Sequence, residues 1–188
     1  MNCEEILRTR NLYNSFVLIL LQLSGCPIWV DPEATKDKYQ ALDTGDANLC
    51  TCKNCRNYRT QRSQFLPKDF ISFAQAAGID PLKEQRCSGG FLHDGRYCYS
   101  AEYEFIGRFE GPVKSAADYA PKWKRWLHLV PLTDTGIRQV PVVHLTDAFS
   151  YSLSQYRVPL DLKSPQAGLC FLNINVALPW VINEPPDS

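Results

Sequence analysis

Methionine occurs once, as Met1, and histidine only at His93, His128 and His144, so two residue types that serve metal and proton chemistry are scarce in this 188-residue chain. Few histidines leave few general bases, and a single thioether gives a copper(I) site little to build on. An excess of one charge is missing as well. The 20 basic and 20 acidic side chains cancel, which removes the broad positive field that a nucleic-acid binder uses to displace counterions from phosphates, and nucleic acid is disfavoured as a partner. No apolar run reaches the ~20 residues that a membrane-spanning helix needs. The chain has no internal repeat, no low-complexity tract and no linker long enough to divide it. It contains neither a GxSxG elbow nor an HExxH helix.

What remains is an ordinary globular composition, 45% apolar and 21% charged, on a length that fits one compact unit. The reading is a short N-terminal segment, residues 1–26, followed by a single α+β domain, residues 27–188. In the first segment Arg8 and Arg10 precede an apolar run, Phe16 to Leu21, that ends in Leu23-Ser24-Gly25-Cys26. This tetrapeptide resembles a bacterial lipobox, in which Cys26 would be acylated after cleavage. Two features oppose that reading: Glu4 and Glu5 dilute the basic start, and Pro27-Ile28-Trp29-Val30 follows Cys26 where a polar tether belongs. The alternative is that Phe16 to Leu23 is a buried strand or short helix and Cys26 a core cysteine.

Local signals predict helices in the first half and an antiparallel sheet in the second. Asp31-Pro32-Glu33 places a capping aspartate before a proline and an acid, which predicts a helix to about Leu42. Arg56 to Phe65 has helical spacing up to Pro67, and Lys68-Asp69 opens another helix with an apolar stripe at Phe70, Ile71, Phe73, Ala74 and Ala77, ending at Gly78. Ile79-Asp80-Pro81 repeats the cap-and-proline start and predicts one more helical turn. The Asp94-Gly95 pair then predicts a tight hairpin, with a strand from Tyr97 to Phe109 in which Gly107 marks a bulge or an end. Further strands are expected at Trp126 to Val130, Arg138 to Leu145, Phe149 to Val158 and Leu169 to Val176. The C-terminal tail should pin Trp180 and Val181 against the body.

Eight cysteines are many for a reducing compartment unless some bind metal, and few for a disulfide scaffold. Three of them, Cys50, Cys52 and Cys55, stand within six residues as CxCxxC. A CxxC turn lets two sulfurs converge while backbone amides point at them, and Cys50 adds a third, so the string reads as a metal knuckle for zinc. Zinc takes four such ligands in structural sites, and Cys87, His93 and Cys98, around the expected hairpin, are the candidates for the fourth. Ser88-Gly89-Gly90 would let that segment fold back. A closed shell would be structural, and an open position would admit water or substrate. A disulfide involving Cys52 and Cys55 is the competing chemistry in an oxidising compartment, and the usual iron–sulfur spacings are not matched.

Taken together, Cys50-Thr-Cys-Lys-Asn-Cys-Arg-Asn-Tyr58, Leu66-Pro67, Gly78-Ile-Asp-Pro-Leu-Lys-Glu84, the Asp94-Gly95 hairpin and Leu178-Pro-Trp-Val-Ile-Asn-Glu-Pro185 resemble a family of small uncharacterised bacterial proteins. The resemblance spans residues about 47 to 186, with CxCxxCRN and LPWVxxEP as its signatures. It implies no known activity and a cytoplasmic location, from which the apolar extension before Pro27 departs. The alternative location is the cell envelope, anchored at Cys26.

Other constellations have plainer explanations. His144 with Asp147 has the composition of an oriented base but sits in an ordinary strand-to-turn string. Glu102 and Glu104 share a strand face, as solvated charges commonly do. Lys122-Trp123-Lys124-Arg125-Trp126 fits indoles packed under lysine stems, and Arg56, Arg59 and Arg62 fit a solvated helix face. The functional expectation is a noncatalytic binding protein with a protein partner and a structural zinc. Its alternatives are a metal-dependent or thiol enzyme with an open cysteine site, and an exported lipoprotein with disulfides.

Overall fold

The computed structural model describes residues 9–10, 17–115, 135–159 and 167–186. Among these residues the strands are β1 (Thr9–Arg10), β2 (Val17–Leu23), β3 (Cys26–Val30), β4 (Arg86–His93), β5 (Arg96–Phe109), β6 (Val113–Ser115), β7 (Thr135–Thr146), β8 (Phe149–Pro159) and β9 (Gly168–Leu178). The helices are α1 (Pro32–Gln40), α2 (Asp46–Leu49), α3 (Lys53–Phe65) and α4 (Lys68–Ala76). All strands join one antiparallel sheet in the order β1-β2-β3-β5-β9-β8-β7-β6, with β4 also on β5. The fold is mixed α+β. The helices do lie between residues 32 and 76, but strands β2 and β3 precede them, so the first half is not purely helical.

Alternation along the central strands decides where the core sits. Tyr99, Ala101, Tyr103, Phe105 and Phe109 of β5 are buried, as are Cys170, Leu172, Ile174, Val176 and Leu178 of β9. Side chains two apart share a sheet face, so both strands bury the same face, and the helices cover it. Ring contacts mark the seating: Tyr58 of α3 meets Tyr99, and Phe70 of α4 meets Tyr103 and Phe149, with centroids 5.4 to 5.7 Å apart. Each ring of this size buries enough apolar area to dominate its neighbourhood energetically.

Several expectations are met by identifiable local physics. Asp31 caps α1, its carboxylate accepting from Ala34 N–H at 3.0 Å, and Pro32 opens the helix. Asp94 and Gly95, with φ of 48° and 74°, form the β4–β5 turn. Ser24 and Gly25 do the same for β2 and β3, with φ of 50° and 79°, so the lipobox-like string is a hairpin turn in which Leu23 pairs with Cys26. The boundary expected at 26/27 falls beside this turn.

Three expectations need correction. Residues 79–84 form a turn and not a helix, because Asp80 directs its carboxylate to Leu82 N–H at 2.9 Å, a local bond that competes with helical pairing. Gly107 neither bulges nor ends β5; it pairs with Val30 on one side and Gly168 on the other, and a Cβ there would strike the Trp29 carbonyl. The solvated face expected on α3 holds only at Arg56, which pairs with Glu184 at the surface; Arg59 is turned to backbone carbonyls and Arg62 is buried, as described below. The expected strand at 126–130, with Trp123, Trp126 and His128, lies outside the described residues.

One edge of β5 is shared. β4 pairs with Arg96–Glu102 and β3 with Gly107–Phe109. Between them, Glu104 N–H donates to Tyr39 Oη (3.2 Å) and Gln85 Oε1 (3.1 Å), and Ile106 N–H donates to Thr35 Oγ1 (3.0 Å). The Ile106 carbonyl accepts Asp31 N–H at 2.8 Å. Side chains of α1 thus complete the ladder where no strand does.

Candidate metal centre

The three cysteines occupy the joint between α2 and α3. Cys50 is the C-cap of α2, in extended conformation, and Cys52 is the N-cap of α3. The Cys52 sulfur accepts Cys55 N–H at 3.4 Å, so the first turn of α3 supplies the amide that a thiolate at a helix N-terminus needs. The sulfurs of Cys50 and Cys52 lie 3.2 Å apart, and all three lie within 4.8 Å of one another. A tetrahedron of ~2.3 Å zinc–sulfur bonds has sulfur–sulfur edges of ~3.8 Å, inside that range. These three side chains can hold a metal ion. The described cysteines, Cys26, Cys50, Cys52, Cys55, Cys87, Cys98 and Cys170, are free thiols.

The joint is clamped from behind. Arg59 donates through Nη1 to the carbonyls of Ala47 (2.8 Å), Asn48 (3.3 Å) and Cys50 (2.9 Å), gathering the carbonyl end of α2. Arg62 donates from Nη1 to both oxygens of Glu84, at 2.8 and 2.6 Å, and from Nη2 to Asn48 Oδ1. Glu84 Oε1 in turn accepts Ala47 N–H at 2.9 Å. The Glu84 side chain is wholly buried and that of Arg62 nearly so, so this pair is part of the interior. Arg56 reaches Glu184 at 2.7 Å. Arg59 and Arg62 therefore hold structure, while the Arg56 pair is exposed to solvent.

The environment splits the thiols. Hydrogen bonds from Cys52 and then Cys55 pull the Cys50 thiol below its ordinary value. Burial pushes Cys55 well above it and Cys87 up to about 12, with the Glu84 and Asp46 charges adding to the effect at Cys87. Burial also raises Glu84, against the pull of Arg62.

Of the candidate fourth ligands, Cys87 lies opposite Ala101 in the β4–β5 ladder, on the helix-covered face. Its backbone N–H donates to Asp46 Oδ2 at 2.8 Å, at the start of α2. Cys98 alternates with Tyr99 and Tyr97 along β5 and points to the other face. His93 pairs with Arg96, on that same other face, beside Asp94 at 3.5 Å. Glu102 and Glu104 each meet a cation, Arg86 at 3.8 Å and Lys38 at 2.7 Å, and His144 and Asp147 are exposed at the β7–β8 end.

The two signature strings of the sequence meet here. Asn57 donates to Tyr99 Oη and to the Pro179 carbonyl, both at 3.0 Å, and accepts Val181 N–H at 2.9 Å. Gln61 adds a second donor to Pro179 O at 2.7 Å, and Trp180 packs at a tilt against Tyr97 with centroids 4.8 Å apart. Asn57 was not legible as a clamp: nothing in a helical Arg-Asn pair announces a contact with a segment more than a hundred residues away. Comparison with protein-family profiles, with curated proteins and with solved structures gave no match to this chain.

Proposed function

We propose that this chain is a noncatalytic binding protein whose helical layer is fastened by a structural zinc ion held by Cys50, Cys52 and Cys55. The observation that carries this is the convergence of three sulfurs on a helix joint that Arg59 fixes through three carbonyls. A site built into the joint between two elements contributes its binding free energy to folding. The partner class is a protein. Arg59 and Arg62 are committed to backbone carbonyls and to Glu84, which leaves Arg56, itself paired with Glu184 at the surface, and argues against a phosphate backbone, and no described helix is long and apolar enough to cross a membrane. Strand β4, with β5 as its strand neighbour, carries the exposed Phe91 and Leu92 and offers an edge to a partner segment.

The test is metal analysis of chelator-free protein together with thermal unfolding before and after metal removal. About one zinc per chain, lost in Cys52→Ser along with stability, is expected. Identical melting of the metal-loaded and stripped chains would overturn the structural role. The competing reading, a metal-dependent or thiol enzyme, draws on the exposed Cys52 and the lowered Cys50 thiol. It predicts a reactive thiol with an open coordination position. Lipid attachment at Cys26, the envelope alternative, would show in the intact mass.

A further inference from the structure

We infer that Cys87 is the fourth ligand, making the centre a closed four-thiolate site for a divalent, thiophilic ion such as zinc, and fastening strand β4 to the α2–α3 joint. This rests on the metal-centre reading above.

The sheet register selects among the three candidates. Side chains directly opposite in a ladder share a face, so Cys87 lies on Ala101's side, under the helices, while His93 and Cys98 fall on the other side. Moving Cys98 to the knuckle would require a one-residue slip of β5, which would turn Tyr99, Tyr103 and Phe105 out of the core.

Strand β4 is also drawn to the knuckle by contacts that do not involve sulfur. Cys87 N–H donates to Asp46 Oδ2 at 2.8 Å, and Asp46 N–H donates to the Glu84 carbonyl at 2.9 Å, which ties the start of β4 to the start of α2. Three residues beyond Cys87, Gly90 lies so close to Asn54, inside the CxxC turn, that a Cβ would collide with its side-chain amide. A register irregularity between Gly89 and Phe91 accompanies this approach. Cys87 is therefore held between two anchor points against the joint. The mutually close sulfurs are those of Cys50, Cys52 and Cys55, and Cys87 is the cysteine that the register and these two anchor points bring to their side of the sheet.

Four protein ligands leave no position for water or substrate, so the centre is architectural. Each coordinated thiol gives its proton to solvent as the metal–sulfur bond forms, and no oxidant or reductant is required.

The test uses the full chain and zinc alone. Zinc-loaded and zinc-stripped protein are alkylated under native conditions, and each cysteine is scored by mass spectrometry. Zinc-dependent protection of Cys50, Cys52, Cys55 and Cys87, with Cys26 and Cys98 unaffected, is expected. In parallel, competition with a chromogenic chelator should show Cys87→Ser losing more than the 10–100-fold typical of an outer-shell change, and Cys98→Ser losing nothing. The alkylation arm uses wild-type protein, so it decides the matter even if Cys87→Ser fails to fold. Zinc protection of Cys50, Cys52 and Cys55 without Cys87 would overturn this inference and leave the three-cysteine centre standing. Failure of wild type to bind zinc would overturn both.

Discussion

Replacing Asn57 by alanine should unfasten the C-terminal segment from α3. The wholly buried Asn57 makes three hydrogen bonds, to Tyr99 Oη, Pro179 O and Val181 N–H. Alanine leaves Pro179 O with its Gln61 donor but leaves the Val181 amide and the Tyr99 hydroxyl without this partner. At ~1–3 kcal/mol for each buried group left unpaired, with Val181 partly open to water, the loss should be about 2–3 kcal/mol. For a chain of this length that corresponds to a Tm lower by about 5–10 °C. Denaturant titration should show a lower midpoint with an unchanged slope. Trp180 emission should shift to the red as its ring leaves Tyr97, with a Trp180→Phe background isolating the signal. Asn57→Asp keeps the acceptor for Val181 but turns a donor into an acceptor facing Pro179 O, and should be as damaging as alanine. A loss below about 1 kcal/mol in both variants would refute the clamp.

Glu84→Gln should destabilise by about 3–5 kcal/mol, because it leaves the Arg62 guanidinium buried without its counter-charge, and an Arg62→Met/Glu84→Leu double variant should lose less, as read by denaturant melts. Alkaline unfolding should begin near pH 10. Burial holds Tyr99 and Tyr151 at about 12 against an ordinary value of 10, so the folded state retains protons that the unfolded state loses; stability is full below pH 10 and falls as pH rises through 12, which phenolate absorbance alongside circular dichroism would follow. A chain beginning at Cys26 should melt well below the longer chain, since it lacks the β2 ladder from Ile19 to Leu23 that covers β3. Equal melting would instead favour processing at that cysteine.

Local chemistry made much of this molecule readable. Asp31-Pro32, Asp94-Gly95 and the apolar stripe of α4 carry their structural instructions within a few residues, and the three-cysteine group was legible because CxCxxC places its own ligands close together. The edges of legibility are long-range. Leu23-Ser24-Gly25-Cys26 reads as a processing motif or as part of a core element, and the turn it forms appears only once β2 is paired with β3. Asp80 reads as a cap, yet its bond to Leu82 closes a turn before a helix can start. Arg59 and Arg62 look solvated because spacing along a helix does not reveal that α2 and Glu84 stand over them. The choice among Cys87, His93 and Cys98 depends on sheet parity, which requires knowing the strand register.

The divided edge of β5 gives the sheet a seam. On one side lies the β4 hairpin, laced to α2 through Asp46 and Cys87; on the other lie β2 and β3. Thr35, Tyr39 and Gln85 stitch across it through side chains, with the Asp31 N–H on the Ile106 carbonyl and Lys38 on Glu104 beside them. The two flanks can therefore open separately, and the metal would govern just one of them. Amide exchange in stripped protein should quicken along Arg86–His93 while Cys26–Val30 keeps its protection. Thr35 and Tyr39 occupy consecutive turns of α1, so the helix cannot advance by one residue without stranding two amides of β5. The seam sets the phase of α1 against the sheet, and it denies an incoming strand the one short stretch of central backbone that the flanking strands leave bare.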